Sequence, residues 1–194
     1  AKWVLCTGNN QLQNNVLLDF INGQSPVVNV TNTFVPMSLE NASICDATGN
    51  LLFYTSGYRV FDRNLNQIPG GYLVPPMDTT GMYRGTLQIR GCMFLPMPGD
   101  TNRYVLLHTT KEFTLPTGTP GWIPYILPRH LYYSIFDKTL NNGNGGIVSL
   151  NQIIVTDTLT NPGGGLAVTK HANGRDWWIM IKKHYKNRFY KFLL

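Results

Sequence analysis

The side chains able to do chemistry in this 194-residue chain are few and scattered. An enzyme would have to be assembled from Asp46, Asp62, Asp137 and Asp176 together with His108, His130, His171 and His184. Two carboxylates cut a glycosidic bond only when they converge to within about 5–9.5 Å of each other. Here ten acids serve the whole chain, and nearly all stand beside turn-forming residues, where a carboxylate caps backbone amides. No Gly-x-Ser-x-Gly elbow, His-Glu-x-x-His pair or phosphate-cradling glycine loop occurs. The run Pro162-Gly-Gly-Gly165 follows a polar stretch rather than a strand and reads as a connector. His171 sits by a turn at a strand edge, the setting of a structural histidine. No residue is singled out as catalytic, and the pattern points away from an enzyme.

Metal chemistry is equally thin. Cys6, Cys45 and Cys92 are widely spaced, with no Cys-x-x-Cys and no histidine at ligand spacing, which disfavours zinc. They read as three small apolar residues; one disulfide with a thiol left over is the other reading, and its pairing is open. Asp100, Asn102 and Asp137 are the oxygen ligands that extracellular β proteins offer to calcium, and turn capping accounts for them equally well. The expectation is no cofactor. Binding is better provided for. Trp122, Tyr125, Tyr72 and Tyr83 lie in two long Pro/Gly-rich segments, residues 72–90 and 111–128, and could stack on sugar rings or pack against a neighbouring chain. The sequons Asn29-Val-Thr31 and Asn41-Ala-Ser43 read as coincidence.

The elements that would position these residues are strands. Residues 43–62 read as strand, tight turn, strand, turn, strand, with Asp46, Gly49 and Asn50 as turn residues. Along 51–55 both sides are apolar, Leu51 and Phe53 on one and Leu52 and Tyr54 on the other, so this strand should be buried on both faces. The plan recurs at 92–108 and at 166–181. The turn glycines Gly49, Gly99 and Gly174 fall about 50 and 75 residues apart, near the spacing of propeller blades with loop insertions. A third strand can follow in each copy, at 58–61, 131–136 and 188–193. Residues 2–6, 16–21 and 26–30 read as earlier strands, 64–69 as a connection and 141–146 as a flexible turn. Radial sheets bury both faces of their middle strands. The expected fold is therefore all-β, a β-propeller or partial propeller of three to four blades, with a β-sandwich as the alternative. Residues 1–194 are expected to form one such region, incomplete at its C-terminal end.

Composition agrees. Charged residues make up 13% of the chain, Gly, Asn, Thr, Tyr and Pro are plentiful, and no amphipathic helical stretch appears. No apolar run of 18 residues occurs, so no membrane-spanning helix is expected. No signal peptide is read in the given residues, and the strand-like start after Ala1 would suit either a processed mature end or a trimmed chain; the expectation is a secreted or cell-surface protein. The net charge of +6 belongs to the last 25 residues, where seven bases face Asp176 alone. Basic residues among Trp177, Trp178, Tyr185 and Tyr190 could mark a polyanion surface. Their clustering at a turn, 182–187, favours a solvated hairpin, and no nucleic-acid partner is expected.

Several phrases together carry a resemblance. They are Trp3 with Leu18-Asp19-Phe20 and residues 23–26; ENASICDATGNLLFYTSG at 40–57, followed by Val60-Phe61 and Pro69-Gly70; Leu95-Pro-Met-Pro-Gly99 with Asn102 and Tyr104; residues 132–137 with Gly145 and Val148; and HANGRDWW at 171–178. In these the chain resembles, along nearly its whole length, the N-terminal propeller-like module of Bacteroidetes secreted and cell-surface proteins, cargo of the type IX secretion system. Val16-Leu17 stand where that family usually has a glycine. The chain would correspond to roughly the first half of the module. The resemblance implies secretion, a propeller fold and a repeat protein of the cell surface; it implies no catalytic residue. The expected role is a non-enzymatic module for adhesion or structural assembly, with other protein chains or the rest of a larger surface protein as partners. The alternative is a carbohydrate-active domain, a glycan binder or a glycosidase-like propeller.

Overall fold

A computed structural model describes residues 2–6, 15–20, 25–31, 41–73, 91–109, 112–114, 125–159, 165–184 and 186–194. The chain is all-β. β1 (Lys2–Cys6), β2 (Asn15–Asp19) and β3 (Val27–Thr31) form a first antiparallel sheet. β4 (Ala42–Cys45), β5 (Leu51–Thr55), β6 (Arg59–Asp62) and β7 (Gln67–Tyr72) form a second, in chain order. The third contains β8 (Cys92–Pro96), β9 (Arg103–Thr109), β12 (His130–Asp137) and β13 (Gly146–Thr156), also in chain order. Between β9 and β12 the chain makes a separate hairpin of β10 (Glu112–Thr114) and β11 (Tyr125–Leu127). The fourth sheet is β14 (Leu166–Lys170), β15 (Trp177–Lys182) and β16 (Phe189–Leu193).

Turn chemistry explains why the sheets are meanders. Between β4 and β5 the Asp46 carboxylate accepts the Thr48 and Asn50 amides, at 3.0 and 2.9 Å, while Gly49 takes φ +89°. The turn after β6 has the same build. Asp62 accepts the Asn64 and Asn66 amides, at 2.8 and 2.9 Å, and Leu65 stands in the glycine's place at φ +68°. An Asp side chain bonding amides two and four residues ahead closes the turn without relying on water.

The four sheets bury one another. Leu17 of the first packs on Leu51, Tyr54 and Phe61 of the second. Leu52, Phe53 and Val60 of the second meet Phe94, Leu106 and Phe136 of the third. Leu95, Val105 and Leu107, on the third sheet's other face, meet Leu166, Ile179 and Ile181 of the fourth. The leading strands β1 and β4 lie close together, as do β4 and β8, and the Cys45 thiol sits 3.2 Å from the Lys2 amide. β5 is therefore buried from end to end, as its two apolar sides require.

Sequence and structure differ locally. Strict alternation puts Leu51 with Phe53; instead Leu51 and Tyr54 face one way and Leu52 and Phe53 the other. The cause is a β-bulge. Cys45 pairs with Leu51 and Ile44 with Phe53, leaving Leu52 as the extra residue. Residues 67–72, expected partly as a connection, form β7, with Pro69 and Gly70 inside it. β7 is an edge strand, where a missing amide donor is tolerated. The turn 141–146 is stapled by the Asn141 side chain to the Gly145 carbonyl at 2.9 Å.

Candidate functional site

The carboxylates considered for catalysis are occupied by turns and ion pairs. Asp137 is held below the usual carboxylate range by hydrogen bonds from the Thr139 hydroxyl and amide, with Arg103 adding to the effect. Asp46 is also held low, its four hydrogen bonds outweighing the opposing effect of burial. Of the calcium candidates, Asp100 accepts the Asn102 amide at 2.8 Å. Arg103 lies 3.5 Å from Asp100 and 3.6 Å from Asp137, a fixed cation between the two acids. Among the described residues no three His, Cys, Asp or Glu side chains gather as a metal site. In the turn 171–176, Asn173 and Arg175 both bond Asp176, and the His171 ring accepts the Asn173 amide at 3.1 Å.

The histidines are dispersed too. His108 is fully buried on β9, its Nε2 3.2 Å from the Ser134 hydroxyl and its ring stacked on Tyr132 at 5.3 Å. Burial pushes this imidazole down to about 3, so it is neutral near pH 7. The Ser134 hydroxyl also accepts the Asn151 amide at 2.9 Å. This serine–histidine pair lies inside a sheet, where it ties β9, β12 and β13 together. His130 bonds Thr156 at 2.9 Å on a different edge of that sheet.

Of the four aromatic binding candidates, Trp122 and Tyr83 lie outside the described residues. Tyr125 begins β11, and only its place in the strand is described. Tyr72 ends β7, 43% exposed, with its ring 5.8 Å from that of Tyr58 and 5.7 Å from the Arg59 guanidinium. Tyr72 and Tyr125 belong to different sheets. The basic C-terminal region is largely engaged. Lys183 pairs with Asp157 at 2.6 Å, and the Tyr190 hydroxyl bonds the same carboxylate, which these contacts hold down at about 2. Lys170 and Lys191 lie over the rings of Trp177 and Trp178, at 4.0 and 4.2 Å. Each is an exposed cation resting on an aromatic face.

The largest feature left over is a pair of surfaces at the two ends of the stack. Leu17 points inward, so the register row Trp3, Leu18, Val28 and its neighbours Val16 and Val30 form the opposite, outward face of the first sheet. Val28 and Val30 are each 60% exposed, Trp3 is 55% exposed, and Trp3 packs on Phe20 at 5.1 Å. The fourth sheet does the same. Ile179, Ile181 and Phe192 point inward, leaving Trp178, Met180, Phe189, Lys191 and Leu193 outward. Phe189 is 59% exposed and Leu193 54%. Exposed apolar side chains grouped on one sheet face, on the fourth sheet with Lys182 and Lys191 among them, suit an interaction surface. Sequence patterning could have found these faces, since β16 alternates Phe189, Lys191 and Leu193 against Tyr190 and Phe192. Which set points outward follows only from the packing. No protein-family model, curated protein or solved structure matches the chain.

Proposed function

We infer that this chain is a non-enzymatic, propeller-like module, secreted or displayed at the cell surface, that serves adhesion or structural assembly through protein–protein contacts. The observation that carries the reading is the pair of apolar outer faces, on β1–β3 and on β14–β16. Four meander sheets stacked in chain order, with β1, β4 and β8 side by side, support a bladed arrangement over a two-layer sandwich. In such an arrangement the outer face of the last sheet meets the outer face of a first sheet. A second copy offers that surface, and a head-to-tail contact between unlike faces either closes a ring or propagates. The likeness of residues 40–57 and 171–178 to Bacteroidetes surface modules supports the extracellular setting.

The alternative, a carbohydrate-active domain, draws on the exposed Tyr72 ring. Two titrations separate them. Concentration-dependent self-association with tryptophan fluorescence indifferent to neutral soluble glycans is the expected result. Saturable quenching by a neutral glycan, with the chain monomeric throughout, would replace assembly by glycan recognition.

A further inference from the structure

The backbone of Arg59 is fixed by the turn that precedes β6. Its amide bonds the Ser56 hydroxyl at 3.3 Å, and its carbonyl accepts the Ser56 amide at 3.2 Å and the Thr55 hydroxyl at 2.8 Å. Its cross-strand partner Tyr72 is anchored in turn, its carbonyl accepting the Asn151 side chain at 3.0 Å. Tyr58 is fixed by the Leu73 amide at 2.9 Å and is itself buried. The guanidinium lies beside both tyrosine rings, 5.6 Å from one centroid and 5.7 Å from the other, while the rings themselves meet edge to face at 5.8 Å. A guanidinium carries five donors in a rigid fork. Among the described residues none of the five has an acceptor, no carboxylate pairs with the group, and its Nε is sealed from solvent. A guanidinium whose Nε is shielded from water, and which no described carboxylate neutralises, is suited to take an anion at its terminal nitrogens.

We propose that Tyr58, Arg59 and Tyr72 form a binding site for a carboxylated pyranose, a uronic acid residue of an acidic polysaccharide. The sugar's carboxylate lies in the plane of the guanidinium and accepts from its terminal nitrogens. The exposed Tyr72 ring takes the apolar C–H face of the pyranose. A neutral sugar leaves the fork unanswered, and a small anion leaves the ring uncovered. The site is independent of the apolar end faces, so it stands or falls separately from assembly.

The experiment is a set of calorimetric titrations of the full chain with methyl β-glucuronide, methyl β-glucoside, sodium acetate and N-acetylglycine. Glucuronide should bind saturably and about tenfold or more tightly than the other three, the loss of one charge-assisted hydrogen bond being worth about that factor. Arg59→Lys should weaken glucuronide about tenfold, because a lysine cannot reproduce the planar fork. Tyr72→Ala, at an exposed ring, should weaken glucuronide and leave acetate unchanged. Glucoside binding as tightly, or glucuronide unaffected by Arg59→Lys, would overturn the charge recognition. Acetate equal to glucuronide would overturn the sugar recognition, and N-acetylglycine binding more tightly would make the ligand a peptide carboxylate. No saturable heat from glucuronide would remove the site.

Discussion

Gly145→Ala probes the stacking of the second and third sheets directly. Gly145 has φ +97°, and a Cβ placed there would stand 2.4 Å from a ring carbon of Phe53 and 2.7 Å from another. Phe53 has little room to retreat. Its ring packs against Phe94, Tyr104 and Phe136 at centroid distances of 6.2, 5.9 and 5.5 Å. Two costs combine, about 1–2 kcal/mol for an L side chain in the left-handed region and about 1–3 kcal/mol for overpacking a filled core. The sum is about 2–5 kcal/mol. With a urea m-value of about 2 kcal/mol per M, the unfolding midpoint should fall by about 1–2.5 M. Gly143→Ala is the internal control, because its φ of +84° incurs the backbone cost while nothing lies within 4 Å of the added methyl. The difference between the two variants isolates the contact between sheets. Phe53→Leu should recover part of the Gly145→Ala loss in a double-mutant cycle. A Gly145→Ala variant no less stable than Gly143→Ala would refute the placement of this turn against Phe53.

Three further outcomes follow from the same arrangement. Leu106 and Leu107 are both fully buried but face different neighbouring sheets, so Leu106→Ala and Leu107→Ala should each cost about 2–5 kcal/mol in chemical denaturation; a large loss at only one would mean the third sheet is covered on one side. His108 takes up its proton only near pH 3 in the folded chain, whereas an unfolded histidine does so near 6.5. Stability should therefore fall as pH drops from 6.5 toward 3, by about 1.4 kcal/mol per unit from this group. His108→Gln should flatten that slope, and parallel profiles for the two proteins would contradict it. Asp157, held down at about 2, contributes stability that is present above pH 4 and is lost as pH falls toward 2. Asp157→Asn should abolish that last acid step, and an unchanged acid limb would argue against the contact with Lys183 and Tyr190.

Much of the fold is legible in the residues, for identifiable reasons. The Asp46 and Asp62 turns and the doubly apolar run at 51–55 each leave a local mark, because turn closure and burial are set within a few residues. What is not legible depends on partners far away in sequence. The bulge at Leu52 is set by pairing with Ile44 and Cys45, and alternation within β5 alone gives the wrong sides. β7 hides behind Pro69, Gly70 and Gly71, which read as punctuation until the strand is known to be an edge. The Tyr58, Arg59 and Tyr72 cluster is only half legible in the sequence. Tyr72 stands out as an aromatic residue opening a long segment, but only the cross-strand register brings Arg59 beside it. The solvated hairpin read at 182–187 is the turn between β15 and β16, where Lys186, Asn187 and Arg188 are exposed; what the sequence hides is the long-range partners of its neighbours, Asp157 for Lys183 and the tryptophan faces for Lys170 and Lys191.

The assembly reading is tested most directly by sedimentation velocity across a wide concentration range, on the wild-type chain and on Val28→Glu and Phe189→Glu. These substitutions place one charge on each outer face, at residues 60% and 59% exposed on the edge strands β3 and β16, so neither disturbs the cores between sheets. The account predicts that the wild-type chain associates as concentration rises, that each variant alone sediments as a monomer, and that all three unfold at similar denaturant concentration. A wild-type chain that stays monomeric at every concentration, or variants that associate as it does, would contradict the claim that these faces are what the module uses.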